Sequence, residues 1–200
     1  MQTHSLEGGF REPAIDAAHA FRAIMEVMAR PGLIETVTGA QPPAPLSTAA
    51  GVCLLTLCDH ETPVYLAAGY DQPQVREWIA FHTGAPICDA FSCHFAVGSW
   101  ESIQPLDRYP VGTSEYPDRS ATLLVELPEL SNSGATLTGP GIKESICLSL
   151  PDMQPLQANP LLANPFLANH RRYPLGVDFL FTQNDRLAAL PRSTEVHPCT

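Results

Sequence analysis

The chain has 200 residues, of which 44% are hydrophobic, and its formal net charge is −10. This length and apolar content suit one folded domain with its own core and exclude a disordered chain. Because binding to nucleic acid depends mainly on Lys and Arg contacts to phosphates, the acidic balance argues against a nucleic-acid-binding protein.

The sequence shows no sign of membrane insertion or secretion. No apolar run approaches the roughly 20 residues that a helix needs to cross a bilayer. Residues 1–9 lack the basic and apolar stretch of a signal peptide. We therefore expect a cytoplasmic protein that does not contact the membrane.

The first predicted element is a helix over residues 13–29. Pro13 suits a first-turn position, and the segment Arg30-Pro31-Gly32 ends the helix. An apolar stripe follows the helical period along it and consists of Phe21, Ile24, Met25 and Met28. The stripe predicts a face that packs in the core or against another subunit, rather than a cofactor contact.

Further helices are indicated by capping signals. Ser47 or Thr48 caps a second helix that runs to about Leu57, and residues 72–82 predict a third helix that ends before a glycine. Residues 104–109 hold one helical turn. The pairs Asn159-Pro160 and Asn164-Pro165 predict two successive short helix starts.

Short runs rich in apolar and β-branched residues predict strands between these helices. They cover residues 33–37, 64–66, 93–97, 122–127, 135–137, 146–150, 177–182 and 186–190. The alternation predicts an α/β fold, with a single domain over residues 1–200 and a mixed sheet of about seven strands flanked by helices. Residues 1–8 and 195–200 are expected to be frayed tails.

A polar loop precedes the apolar strand that begins at Thr122. Pro117 and Asp118 supply its turn chemistry, and Glu115, Arg119 and Ser120 are crowded onto it. A polar loop on a rigid sheet is a common position for binding groups. The alternative is a solvated turn with a local Glu–Arg pair.

The turn Gly139-Pro140-Gly141 also allows two interpretations. Its backbone N–H groups, with Lys143 beside them, could bind an anion. The same glycines are explained more simply by a tight turn that needs positive φ. The turn is not a Walker loop, because the Gly-Lys-Ser/Thr ending is missing.

No motif specifies a catalytic residue or a metal site. The six cysteines include no Cys-x-x-Cys, and Cys53/Cys58 and Cys88/Cys93 are each five residues apart, so neither pair converges on one metal. We expect no metal, although a mixed site with His60 or His94 stays open as the alternative. The serine-hydrolase elbow and the zinc-hydrolase motif are both missing from the sequence.

Five segments, in this order along the chain, resemble the PhnH family, a core subunit of the bacterial carbon–phosphorus lyase system. They are residues 9–10 with 21–32, residues 57–64, the loop and strand at 112–127, residues 137–142 around the Gly-Pro-Gly turn, and residues 172–178 with 190–194. Each segment alone is weakly specific, but together they span nearly everything from Gly9 to Thr194.

The resemblance implies a fold similar to the large domain of pyridoxal-phosphate (PLP)-dependent transferases, in a family that has lost that cofactor. Lys143 is the only lysine in the chain, and a PLP enzyme needs a lysine for its Schiff base. Glu144 beside it favours the charged ammonium and so opposes nucleophilic use. Asp178 could mimic the acid that pairs with the pyridinium nitrogen, but we expect no PLP and no other cofactor.

The family's function implies partners of the G, I and J core types. The J type carries the iron–sulfur radical chemistry that breaks the carbon–phosphorus bond. The core, with a partner that resembles an ATP-binding cassette, attaches an alkylphosphonate to the ribose of ATP and displaces adenine. For this chain we expect a mainly structural role that completes an interface, and a homodimer when it is isolated.

Two other functions remain open. The chain could carry its own phosphonate or nucleotide anion site, with candidates Arg119, Ser120, Gly139, Gly141, Lys143, Arg172 and Arg192, because arginine forks suit phosphonate oxygens. The same arginines could equally form ion pairs between subunits. Alternatively, the chain is a homodimeric remnant of a transferase fold that binds no ligand.

Overall fold

The computed structural model describes residues 7–151 and 164–197. The helices are α1 (Pro13–Ala29), α2 (Thr48–Leu57), α3 (Pro73–Thr83), α4 (Trp100–Ile103) and α5 (Pro165–His170). The strands are β1 (Ile34–Thr36), β2 (Val64–Leu66), β3 (Phe95–Ser99), β4 (Thr122–Glu126), β5 (Ala135–Thr138), β6 (Ile146–Leu148), β7 (Asp178–Gln183), β8 (Arg186–Leu190) and β9 (Glu195–His197). None of the described helices is both long and apolar enough to cross a bilayer.

The strands form two sheets, which confirms the α/β class but corrects the prediction of one sheet. The larger sheet has six strands in the order β1-β8-β7-β4-β3-β2, in which β2, β3, β4 and β7 are parallel and β8 is antiparallel to both of its neighbours. A separate antiparallel sheet has the order β6-β5-β9. Local patterns indicated the strands, but pairing joins segments that lie far apart in sequence.

Of the two expected frayed tails, residues 7–8 and 195–197 are paired with the rest of the chain, whereas residues 1–6 and 198–200 lie outside the described residues. Residues 195–197 form β9, whose Val196 lies opposite Leu137 of β5. At the other end, the carbonyl of Glu7 accepts a hydrogen bond of 3.0 Å from the Trp78 indole. The carbonyl of Gly8 accepts one of 2.8 Å from the Gln41 backbone. These long-range contacts leave no signal in the local composition.

The larger sheet has an apolar cluster on each of its faces. Along β4, Leu124 packs on the side of α1, α2 and α3, while Leu123 and Val125 pack on the side of α4 and α5. Because parallel strands covered on both faces bury every side chain, they are nearly continuous apolar runs. This explains why β4 and β7 were recognisable from sequence.

Helix α1 divides the predicted apolar stripe between the core and the surface. Ala20, Ile24 and Val27 are buried, whereas Phe21 and Met25 are 50% and 51% exposed.

The second Asn-Pro pair behaves as predicted, because the Asn164 side chain accepts hydrogen bonds from the Phe166 and Leu167 backbone at the start of α5. The first pair lies outside the described residues.

Candidate functional site

Arg192 ties together segments at the amino ends of the central parallel strands. Its Nε donates to Asp178 Oδ1 at 3.1 Å, its Nη2 reaches Asp178 Oδ2 at 2.5 Å, and its backbone N–H donates to Oδ1 at 2.8 Å. Nη1 donates to the Pro117 carbonyl at 2.8 Å and lies 3.5 Å from the Pro174 carbonyl, while Nη2 also donates to Ser120 Oγ. Asp178 begins β7 and Ser120 lies just before β4.

These contacts occupy the whole guanidinium group. An arginine has five N–H donors, and the side-chain contacts of Arg192 with Asp178, Ser120, Pro117 and Pro174 match that number. The Arg192 and Asp178 side chains are 13% and 16% exposed. Arg192 therefore fixes the loop before β4, and it would have to release one of these partners to bind an anion.

Other candidates from the sequence lie on the surface. Glu115, Arg119 and Arg172 are exposed. The Arg119 guanidinium lies 4.1 Å from the centre of the Tyr116 ring, which is a cation–π contact. The structure thus brings Ser120, Asp178 and Arg192 together. In contrast, Glu115, Arg119 and Arg172 stay on the exposed surface.

The Gly-Pro-Gly turn is packed against the end of α1. Gly139 and Gly141 have φ of 129° and 81°. A Cβ on Gly141 would lie 2.0 Å from the Ala29 carbonyl oxygen, and a Cβ on Gly32 would lie 2.4 Å from Ile146 Cγ2. The close approach of the Ala29 backbone at Gly141, and of the Ile146 side chain at Gly32, therefore gives these two glycines a structural reason that is independent of any ligand.

Lys143 lines a pocket of about 500 Å³ beside this turn. Arg30, Pro31 and Leu33 form one side of the pocket, and residues 141–146 form the other. Arg30 also makes an ion pair of 2.9 Å with Glu26 on α1. The pocket lining combines the cationic side chains of Lys143 and Arg30 with the Glu144 carboxylate and an apolar wall. The two cations are the part of this lining that suits a small organic anion.

A second crevice, of about 540 Å³, lies at the other end of the parallel strands from Arg192. Ser99, Glu126 and Gln183 are the last residues of β3, β4 and β7, so the crevice opens at the carboxyl ends of the parallel strands. Tyr70, beyond β2, and Ser47, which caps α2, complete its polar lining. Ligands of open α/β sheets usually bind at this edge.

Within the part of the chain that the structure describes, Glu126 is the only carboxylate in the lining of this crevice. Its Oε1 accepts a hydrogen bond of 2.7 Å from the Ser47 backbone. Burial raises the pKa of the Glu126 carboxyl, and hydrogen bonds from Ser47 and Thr182 offset that effect only in part. Burial, with the charges of Glu126 and Glu101, raises the pKa of Tyr70 to about 12.

None of the candidate site residues from the sequence lines this crevice, because they lie on the loop before β4, on the Gly-Pro-Gly turn after β5 and near β7 and β8. The available signal was an acid at the end of an apolar strand, Glu126 directly after Leu123-Leu124-Val125. An acid in that position is either exposed to solvent or part of a binding site, and the sequence does not distinguish the two.

Two of the cysteines, Cys53 and Cys58, lie in the core. No group of three His, Cys, Asp or Glu residues in the described parts of the chain could hold a metal ion. Burial raises the pKa of Cys58 to about 12. Protonated thiols are poor nucleophiles and poor metal ligands.

The fold and these sites define an α/β protein. Arg192 fixes a loop at the amino ends of its parallel strands, and a crevice that contains Glu126 opens at their carboxyl ends. A family model described as "Bacterial phosphonate metabolism protein (PhnH)" matches residues 8–197. The chain belongs to this family. It is also similar to a protein of Rhizobium meliloti (strain 1021) named "Alpha-D-ribose 1-methylphosphonate 5-triphosphate synthase subunit PhnH". The two are 37% identical over 204 residues, which cover 98% of this chain and 97% of the relative.

Proposed function

We propose that this chain is a subunit of the carbon–phosphorus lyase core complex and acts in phosphonate catabolism. The family match over residues 8–197 carries the proposal, and the relative at 37% identity is itself named as a synthase subunit. The reaction we assign to the complex attaches an alkylphosphonate to the ribose of ATP with loss of adenine, ahead of cleavage of the carbon–phosphorus bond. Its partners would be subunits of the G, I and J types in the cytoplasm.

Within the complex we assign the chain a structural role that completes an interface. The apolar face of α1 supports this role. Its exposed residues are Ala14, Ile15, Ala18, Phe21 and Met25. Large apolar side chains that share one exposed helix face indicate a protein contact. We assign a neighbouring subunit of the complex to this face, and a second copy of the chain when the protein is isolated.

Co-purification tests this role. The chain with Phe21→Ser and Met25→Ser is compared with the Phe91→Ser variant, which removes another exposed aromatic side chain, 74% exposed and away from α1. We expect the double variant to lose the G, I and J type subunits under phosphate starvation and the control to retain them. Full activity of a complex reconstituted without this chain would contradict the proposal.

A second candidate function is an anion site of the chain's own in the pocket lined by Lys143 and Arg30. Two cationic groups beside Pro31, Leu33 and Ile146 would suit the phosphonate and the alkyl group of one small molecule. Lost methylphosphonate affinity with intact assembly in Lys143→Gln would favour this function. Lost assembly would favour the structural role.

PLP chemistry does not fit the residues that are present. Lys143 is exposed in a pocket that Arg30 shares, and the Asp178 carboxylate is held by Arg192. An acid already paired in this way is not available to a pyridinium nitrogen. We therefore expect the purified protein to show no visible absorption band that is abolished by borohydride.

A further inference from the structure

The crevice at the carboxyl ends of the parallel strands contains a carboxylate without a cationic partner. Among the described residues, its lining includes neither lysine nor arginine and consists of Pro45, Leu46, Ser47, Tyr70, Ser99, Glu126, Leu127, Pro128, Gln183 and Asn184. In residues 7–151 and 164–197, no ion pair involves Glu126. The side chain is held at the crevice by the Ser47 backbone at 2.7 Å.

A half-buried carboxylate such as Glu126 is stabilised by a positive charge. The α2 terminus supplies one backbone N–H to Glu126, but it does not compensate fully for burial of the carboxylate. Tyr70 adds an aromatic ring to the lining, and aromatic rings also attract cations. An anion such as a phosphonate would meet a like charge here and no cationic side chain.

We propose that this crevice binds an ammonium or guanidinium group, with Glu126 as its counter-ion. The volume of about 540 Å³ is within the range of small-molecule sites. The neutral groups of Ser47, Ser99 and Gln183 would accept the remaining hydrogen bonds of such a cation.

Two sources can supply this group. One is a free small amine, and the other is a Lys or Arg side chain of another subunit of the complex. Only the second source rests on the proposed function, because it needs an assembled complex. The acidic net charge of −10 favours either cation over an anion.

Titration of the isolated chain tests the cation site. Butylguanidinium and butylammonium are compared with butylurea, a neutral molecule of similar shape, by calorimetry at low salt. We expect the cations to bind at least about tenfold more tightly than butylurea, and Glu126→Gln to abolish that preference. The matched control, Glu77→Gln on the exposed face of α3, should keep it. Equal binding of cation and neutral molecule, or an unchanged preference in Glu126→Gln, would overturn the proposal.

A measurement on the unmodified chain keeps the test valid if Glu126→Gln does not fold. The Glu126 carboxyl carbon, followed by NMR, should titrate at lower pH with butylguanidinium than with butylurea. Tyr70 and Cys53 are titratable groups whose charges couple to Glu126. The pKa of Tyr70 is raised to about 12 and that of Cys53 is raised by burial, so neither group titrates in the range of a carboxyl. An identical midpoint with both molecules would refute the site.

The assembled complex distinguishes the two sources. If a side chain of a partner fills the crevice, the complex should not bind butylguanidinium and Glu126→Gln should weaken assembly. If the complex binds the cation as the isolated chain does, the source is a free amine. Cation binding by a chain that co-purifies with no other subunit would leave this site standing while the proposed function fails.

Discussion

A single arginine, Arg192, connects chain segments that lie far apart in sequence. It joins the end of β8 to the start of β7 through Asp178, and to the loop before β4 through Ser120 and Pro117. Both charged side chains are mostly buried, so removal of one leaves the other without compensation.

We expect Arg192→Ala to lower the free energy of unfolding by about 2–4 kcal/mol, because Asp178 loses its counter-ion inside the protein. Urea denaturation measures this loss. Arg172→Ala, which removes an exposed arginine, should change stability by less than about 0.5 kcal/mol. Equal effects of the two substitutions would contradict the role given to Arg192.

Glu126 predicts a pH dependence of the opposite sign to most carboxylates. Its pKa in the folded protein is raised above the ordinary 4.5, so the folded state retains the proton longer than the unfolded state. The stability contributed by the neutral carboxyl is therefore present below pH 4.5 and lost as the pH rises through the folded pKa. Glu126→Gln should gain stability relative to the unmodified chain across this window, measured by urea denaturation at several pH values. A constant difference would refute the prediction.

At the scale of elements, local signals predicted α1, α2, α3 and α5 but not α4. Pro13 and Arg30-Pro31-Gly32 delimit α1, Ser47 caps α2, and Asn164-Pro165 begins α5, as expected from their short-range chemistry. The smaller sheet could not be predicted, because β5 pairs with β6 and with β9 at the far end of the chain. Sequence patterns give a strand's period but not its neighbour.

The contacts of Arg192 and the position of Glu126 also depend on which strands and helices are neighbours, which local sequence does not give. Ser120, Asp178 and Arg192 were all recognised as candidates, but their contact depends on the order β8-β7-β4 in the larger sheet. Glu126 was missed because a single acid after an apolar strand has no distinctive spacing. Its burial becomes visible only when α2 is packed beside the end of β4.

The contact between α1 and the Gly-Pro-Gly turn gives a prediction with a matched control. Gly141 and Gly69 have φ of 81° and 87°, but a Cβ on Gly141 would lie 2.0 Å from the Ala29 carbonyl, whereas nothing lies within 4 Å of one on Gly69. Gly69→Ala should cost about 1–2 kcal/mol through backbone strain alone. Gly141→Ala should cost more, because α1 must also move. Thermal or urea unfolding of both variants decides this, and equal losses would show that the close contact has no energetic effect.

At the scale of the whole molecule, the exposed face of α1 predicts association. We expect light scattering to show a homodimer of the isolated chain, and the chain with Phe21→Ser and Met25→Ser to be a monomer, because apolar area drives such contacts. The Phe91→Ser control should remain a dimer. A monomeric unmodified chain at all concentrations tested would contradict the prediction.

The position of β9 has a practical consequence for any recombinant version of this protein. β9 covers one long side of β5, so deletion after Thr194 would expose a row of amide hydrogens and carbonyls that can recruit a strand from a neighbouring molecule. Such a shortened chain should aggregate even if its larger sheet still folds.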